Sequence, residues 1–376
     1  MKKKSFKIVF LILLLAISIF FINKYALVSN KTNEVSVEKW NNFYNGDNIR
    51  FYYQDLKDIN IQQLNSNYKI NELVKNKKSD FDKAVMLMEW LQNKLKYSKG
   101  SMKSEGYAMD IINEAKESGK TINDDDFCSV YAELAASAGL NVRKGEFRVK
   151  NSYKEKKGFN HFVCEIWSDK YNKWIIMDPS YNHYIIYNNI PLSSVEIIQK
   201  GSDEVKIIGG KNAKKYIDEV KKYFYSYSIA IDNSIYGVKH SNSYVTYLKS
   251  GEIPEIYINK SLVSPTIFTN NDKLFGISPS VKYKDNKSDE LPTLILSQKK
   301  KEDDDDKNKN KIEFYCGVFK NSVMEEKYYI SINDKAYKEV NKYFDFSLEK
   351  GRNLIKLSTD KNKVEREILI NYLKDN

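Results

Sequence analysis

The spacing of apolar residues changes once between Asp126 and Asp178, and that change limits the fold more than any other feature of the chain. Up to Gly139, the stretch FCSVYAELAASAGL (127–140) repeats its apolar residues at the helical interval. Asp126 is its candidate N-cap and Gly139 its left-handed stop. Beyond it, NVRKGEFRV (141–149), HFVCEIW (161–167) and WIIMD (174–178) alternate or run short, as strands do, with the turn-like SDKYNK between the last two. Two earlier stretches have helical spacing. FDKAVMLMEWLQNKLKYS (81–98) follows the cap candidates Ser79 and Asp80, and YAMDIINEAKES (107–118) stops before Gly119. Helices followed by antiparallel strands define an α+β unit over residues 50–215.

After a last amphipathic stretch, AKKYIDEVKKYF (213–224), the composition turns aromatic and β-branched. Segments such as SYVTYL, IEFYCGVF, KYYISI and REILINYL predict a sandwich-like region over 225–376, as one module or two. KKKEDDDDKNKNK (299–311) reads as a solvated tip between two of its strands.

The N-terminus, MKKKSFK followed by IVFLILLLAISIFFI (8–22), places lysines ahead of an apolar run. The run is shorter than the roughly 20 residues that span a bilayer, and Phe6 with Tyr25–Val28 extends it towards that length. With no convincing cleavage site, residues 1–28 are expected to stay as a single-pass anchor with an inner N-terminus; a cleaved signal is the alternative. Residues 29–49 are polar and read as a tether, and the bulk of the chain is expected outside the membrane. The net charge of +11 is carried by lysine, with arginine only at 50, 143, 148, 352 and 366. That composition suits attraction to anionic envelope polymers and does not suit base readout, so no nucleic-acid partner is expected. Three cysteines in an exported chain leave at least one thiol unpaired, and a Cys164–Cys316 bridge is only a minor alternative. No CxxC or HxxxH spacing occurs, so neither a metal nor a cofactor is expected.

Three residues near the change of period have the types of a nucleophilic site. Cys128 falls in the first turn of its predicted helix, where the dipole favours a thiolate and the run Asp124-Asp125-Asp126 opposes one. If HFVCEIW and WIIMD form a hairpin, His161 shares a face with Val163, Glu165 and Trp167, while Cys164 points the other way. A loop with an even number of residues then puts Asp178 on the face of His161, within reach of its imidazole; an odd loop does not. Imidazole is the base a thiol needs, and the carboxylate would fix its tautomer. His183 and His240 read as surface histidines.

FCSVYAELAASAGLNVR, NHFVCEIW and NKWIIMDPSYN, in that order and spacing, resemble the transglutaminase-like superfamily over residues 78–200. The resemblance implies a papain-like core with catalytic Cys128, His161 and Asp178. It departs at Phe162-Val163, where the family often has Ala-Trp, and only the Cys128 backbone N–H suggests itself for an oxyanion hole. The implied chemistry is attack of the thiolate on a protein or peptide amide, release of an amine, and transfer of the thioester acyl group to an amine or to water. Cross-linking, deamidation and peptide hydrolysis are all open. The alternative is an inactive surface protein whose core supports a sandwich that binds envelope polymers or proteins.

Overall fold

The computed structural model describes residues 34–101, 103–150, 158–232, 243–256, 265–281, 289–299, 312–321 and 323–373. The expected anchor (1–28), His240 and residues 300–311 of the charged run lie outside these. Among the described residues, no helix is long and apolar enough to cross a membrane.

The described residues open on a strand, β1 (Glu34–Asn41), within the stretch expected to be a tether. Five helices follow: α1 (Ile59–Tyr68), α2 (Ile70–Val74), α3 (Asp80–Gln92), α4 (Ala108–Ser118) and α5 (Asp124–Ser137). Ser79 caps α3 by accepting from the Asp82 N–H, and Gly119 ends α4 at a left-handed φ of 68°. Helix α5 begins earlier than its apolar period suggests. Asn123, not Asp126, is its N-cap, because the Asn123 side chain accepts from the Asp126 N–H at 2.8 Å. Asp124 is therefore the first helical residue and Cys128 sits in the second turn, away from the strongest part of the dipole.

Next come β2 (Val142–Arg148), β3 (Asn160–Ser168) and β4 (Lys173–Met177). A small sheet is formed by β5 (His183–Tyr187), β6 (Ile190–Pro191) and β7 (Lys206–Gly209), with α6 (Ser194–Lys200) inside it in sequence and α7 (Ala213–Val220) after it. The core sheet continues past residue 215. Strands β8 (Ser226–Ala230), β9 (Tyr244–Leu248) and β10 (Thr266–Thr269) extend it to six strands in the order β10-β9-β8-β2-β3-β4, with only β9 and β10 parallel. One face packs on the helices through Phe127, Tyr131, Cys164, Ile166 and Met177; the other buries Phe147, Val163, Ile176, Tyr227 and Ile229.

The remaining strands build a sandwich. One sheet has the order β1-β18-β17-β14-β15 and the facing one pairs β11, β12, β13 and β16, where β11 is Thr293–Gln298, β12 Glu313–Lys320, β13 Val323–Met324, β14 Lys327–Ile332, β15 Lys338–Asn341, β16 Tyr343–Ser347, β17 Gly351–Ser358 and β18 Arg366–Leu373. Phe314, Cys316, Val318, Tyr328, Ile355, Ile368 and Ile370 fill its interior. The mixed α+β class and the sandwich are thus present, but the sandwich recruits β1 from ahead of the core. Cys164 and Cys316 lie in separate cores, so they do not pair.

The cap gives a direct check on where α5 starts. Asn123→Ala is expected to lower unfolding stability in urea by about 1 kcal/mol, and Asn123→Ser to lose little. An unchanged midpoint for Asn123→Ala would return the start of α5 to Asp126.

Candidate functional site

The hairpin of β3 and β4 fixes the first half of the site. Trp167 pairs with Trp174 and Ser168 with Lys173, leaving the even loop 169–172. Continuing that register puts Asp178 on the His161 face, one step diagonal, and His161 Nε2 lies 2.6 Å from Asp178 Oδ2. Both residues are buried.

The other ring nitrogen does not meet a thiol. His161 Nδ1 lies 3.2 Å from Asp124 Oδ2, the same oxygen that accepts the Phe162 backbone N–H at 3.1 Å. Asp124 gets there because it opens α5, whose N-terminus overhangs the end of β3. An ionised carboxylate only accepts, so facing two such oxygens the ring satisfies both contacts only as a doubly protonated imidazolium. Burial alone would lower the His161 pKa, but the carboxylates of Asp178 and Asp124 outweigh it and push the value up to about 10. Burial likewise opposes the Asp124 charge, yet the hydrogen bond and charge of His161 hold its pKa below the ordinary carboxylate value.

Cys128 lies elsewhere. Alternation along β3 sends His161 and Val163 to one face and Phe162 and Cys164 to the other, under α5. Cys164 Sγ donates to the Cys128 backbone oxygen at 3.3 Å, so Cys128 is on the Cys164 side of the sheet. Both ring nitrogens of His161 are therefore taken by Asp178 and Asp124, and the Cys128 thiol, close enough to feel those carboxylates, makes no hydrogen bond to the imidazole. Both cysteines are fully buried, and burial, the neighbouring Cys164 and the carboxylates of Asp178 and Asp124 push the Cys128 thiol well above its ordinary pKa. Asp124 is the residue that reasoning from sequence misses. Its signal was Asn123 three residues ahead of Asp126, a cap that moves the helix start back onto the Asp run.

Aromatic rings close over the imidazole. Tyr181 and Tyr223 approach it with centroids at 5.9 and 5.8 Å, and Tyr97 and Tyr216 pack on Tyr181. Lys99 lies over the Tyr223 ring and donates to its hydroxyl. His183 is not a surface histidine: it is buried, its ring tilted against Tyr216 with centroids 4.5 Å apart, and Nδ1 is 3.2 Å from the Ile208 carbonyl oxygen. Further along the His161 face of β3, buried Glu165 accepts from Arg143 Nε at 2.9 Å, the Tyr227 hydroxyl at 3.2 Å and the Ser194 N–H at 2.9 Å. The Arg143 guanidinium lies 4.0 Å over Trp174, a structural role. Among the described residues, no group of three or more His, Cys, Asp or Glu is arranged to hold a metal ion.

Residues 68–179, from the end of α1 to just past Asp178, match the family model described as the transglutaminase-like superfamily. No curated protein matches the chain. Two solved structures are similar at low identity. A candidate cysteine protease from Cytophaga hutchinsonii shares 16% identity over 40% of this chain and 46% of its own, with a TM-score of 0.25. Red sea bream transglutaminase shares 9% over 88% of this chain and 77% of its own, with a TM-score of 0.26. The chain thus spans about half the length of the first of these. Over residues 68–179 the chain is thus similar to the transglutaminase-like superfamily.

The raised His161 pKa has a sign that can be measured. Unfolding returns the imidazole to its ordinary 6.5, so its contribution to stability is complete below pH 6.5 and disappears as pH rises through about 10. The stability difference between wild type and His161→Gln is therefore expected to shrink between those limits. A difference that stays constant across the range would mean the ring is not held as an imidazolium.

Proposed function

We propose that this chain is a transglutaminase-like protein without thiol catalysis: an exported protein, held at the membrane by its N-terminal segment, whose core supports a sandwich that binds envelope polymers or proteins. The observation that carries this reading is the occupation of both His161 ring nitrogens by carboxylates, Asp178 on Nε2 and Asp124 on Nδ1. A general base must offer a lone pair to the nucleophile, and an imidazolium clamped on both sides has none. Asp124 Oδ2 instead accepts from the Phe162 N–H and from His161.

The competing reading is acyl transfer on a protein or peptide amide through Cys128, His161 and Asp178. It is favoured by the family match over 68–179 and by the thiol on α5, one turn from Asp124. It requires Cys128 to leave Cys164 and reach round the end of β3, and it requires Asp124 to vacate Nδ1.

Installing a thiol where Asp124 stands separates the two. The full chain in detergent, as wild type and as Asp124→Cys, is alkylated across a pH series and each cysteine is followed by mass spectrometry. The expected outcome is a new Cys at 124 whose inflection falls below ~8.5 and rises when His161→Ala is added, with wild-type Cys128 unreactive until the protein unfolds. Wild-type Cys128 titrating below ~8.5 in a His161-dependent way, with an amide-directed activity that Cys128→Ala abolishes, would overturn the proposal and establish the competing reading.

A further inference from the structure

The Cys164 thiol meets Cys128 across the interface of α5 and β3. Cys164 Sγ donates to the Cys128 backbone oxygen at 3.3 Å, and both side chains are shut away from solvent in the helical core. Cys316 is buried by itself in the sandwich. A chain with only three cysteines has thus brought two of them together from positions far apart in sequence.

We propose that Cys128 and Cys164 are a redox pair that closes to a disulfide, stapling the second turn of α5 to the middle of β3. Because the Cys164 sulfur already lies 3.3 Å from the Cys128 backbone oxygen, the two residues are near enough for a bridge to be tested by experiment. The step is an ordinary thiol–disulfide exchange. One thiolate attacks a disulfide oxidant, such as oxidised glutathione or a dithiol oxidoreductase, to give a mixed disulfide; the second displaces it. Two thiols lose two protons and two electrons, one S–S bond forms, and the oxidant leaves as two thiols. Exchange runs through thiolate, and the folded core holds the Cys128 thiol against ionisation and excludes the oxidant. Closure therefore belongs to folding, before α5 settles on the sheet. The pair rests on the non-catalytic reading, since a Cys128 sulfur held in a disulfide cannot serve as nucleophile.

The test refolds the full chain in detergent from the reduced, denatured state, in glutathione buffers from reducing to oxidising. Peptides are mapped after alkylation under denaturing conditions. The expected result is a linked pair containing residues 128 and 164 at the oxidising end, with Cys316 the sole alkylated thiol and dithiothreitol under denaturing conditions reversing the change. The apparent Tm of the oxidised protein is expected to exceed that of the reduced by about 5–10 °C, because the bridge closes a long loop in the unfolded chain. Cys316→Ala should keep both effects, and Cys128→Ala and Cys164→Ala should each lose them. Complete alkylation of all three cysteines at the oxidising end, or a bond to Cys316, would overturn the proposal. The mapping needs only wild type, so a variant that fails to fold does not weaken it. The Asp124→Cys result is read in reduced protein and stands or falls separately.

Discussion

A β-strand sends successive side chains to opposite faces, and in β3 that rule separates two chemistries by the thickness of one sheet. His161, Val163 and Glu165 point away from the helices, and Phe162, Cys164 and Ile166 point towards them. Helix α5 can lay its second and third turns only on the second set. Its first residue, at the overhanging end, is the one that can look round the strand terminus to the imidazole. The identity of the residue at that single position therefore decides what the histidine faces, and here it is a carboxylate.

The same face of β3 carries two buried ionic clusters with Val163 between them. In one, the imidazole stands between two carboxylates; in the other, Glu165 is held by Arg143, Tyr227 and a backbone N–H. Taking such charges out of water costs several kcal/mol per ion, and the cost is met only where geometry and supplementary hydrogen bonds are good. Asp124 uses the Phe162 N–H, and Arg143 uses the Phe275 carbonyl and the Trp174 ring. These contacts tie β3 to α5, β2, α6 and β8 at once, so the clusters fix how the layers meet.

Much of this was legible in the sequence, and the failures have definite causes. The change of period at Gly139 located the helix-to-strand transition, and the four-residue loop after Ser168 made the Asp178 placement a matter of counting. Both are local rules, and local rules read well from one chain. The start of α5 was misjudged because polar residues in a first turn carry no apolar period; only the Asn123 cap marks it, and the error moved the expected thiol site by one turn. Alternation correctly turned Cys164 from His161, but nothing local says that Cys128 packs on Cys164. The strands after residue 225 look alike in composition. Their division between the core sheet and the sandwich depends on pairing partners distant in sequence, and so does the recruitment of β1.

That recruitment bears on how a pull on the chain would travel. Glu34 pairs with Leu373 and Asn41 with Glu367, so the first described strand lies antiparallel to the last at the edge of the sandwich. After β1, the chain is stitched to both units: Asn42 exchanges hydrogen bonds with Leu294 of β11, and the Tyr44 N–H donates to the Phe268 carbonyl of β10. Tension applied ahead of Glu34 is therefore borne first by the β1–β18 ladder and next by the Asn42 clasp. The transglutaminase-like core lies behind both in the line of force and would be shielded until they gave way.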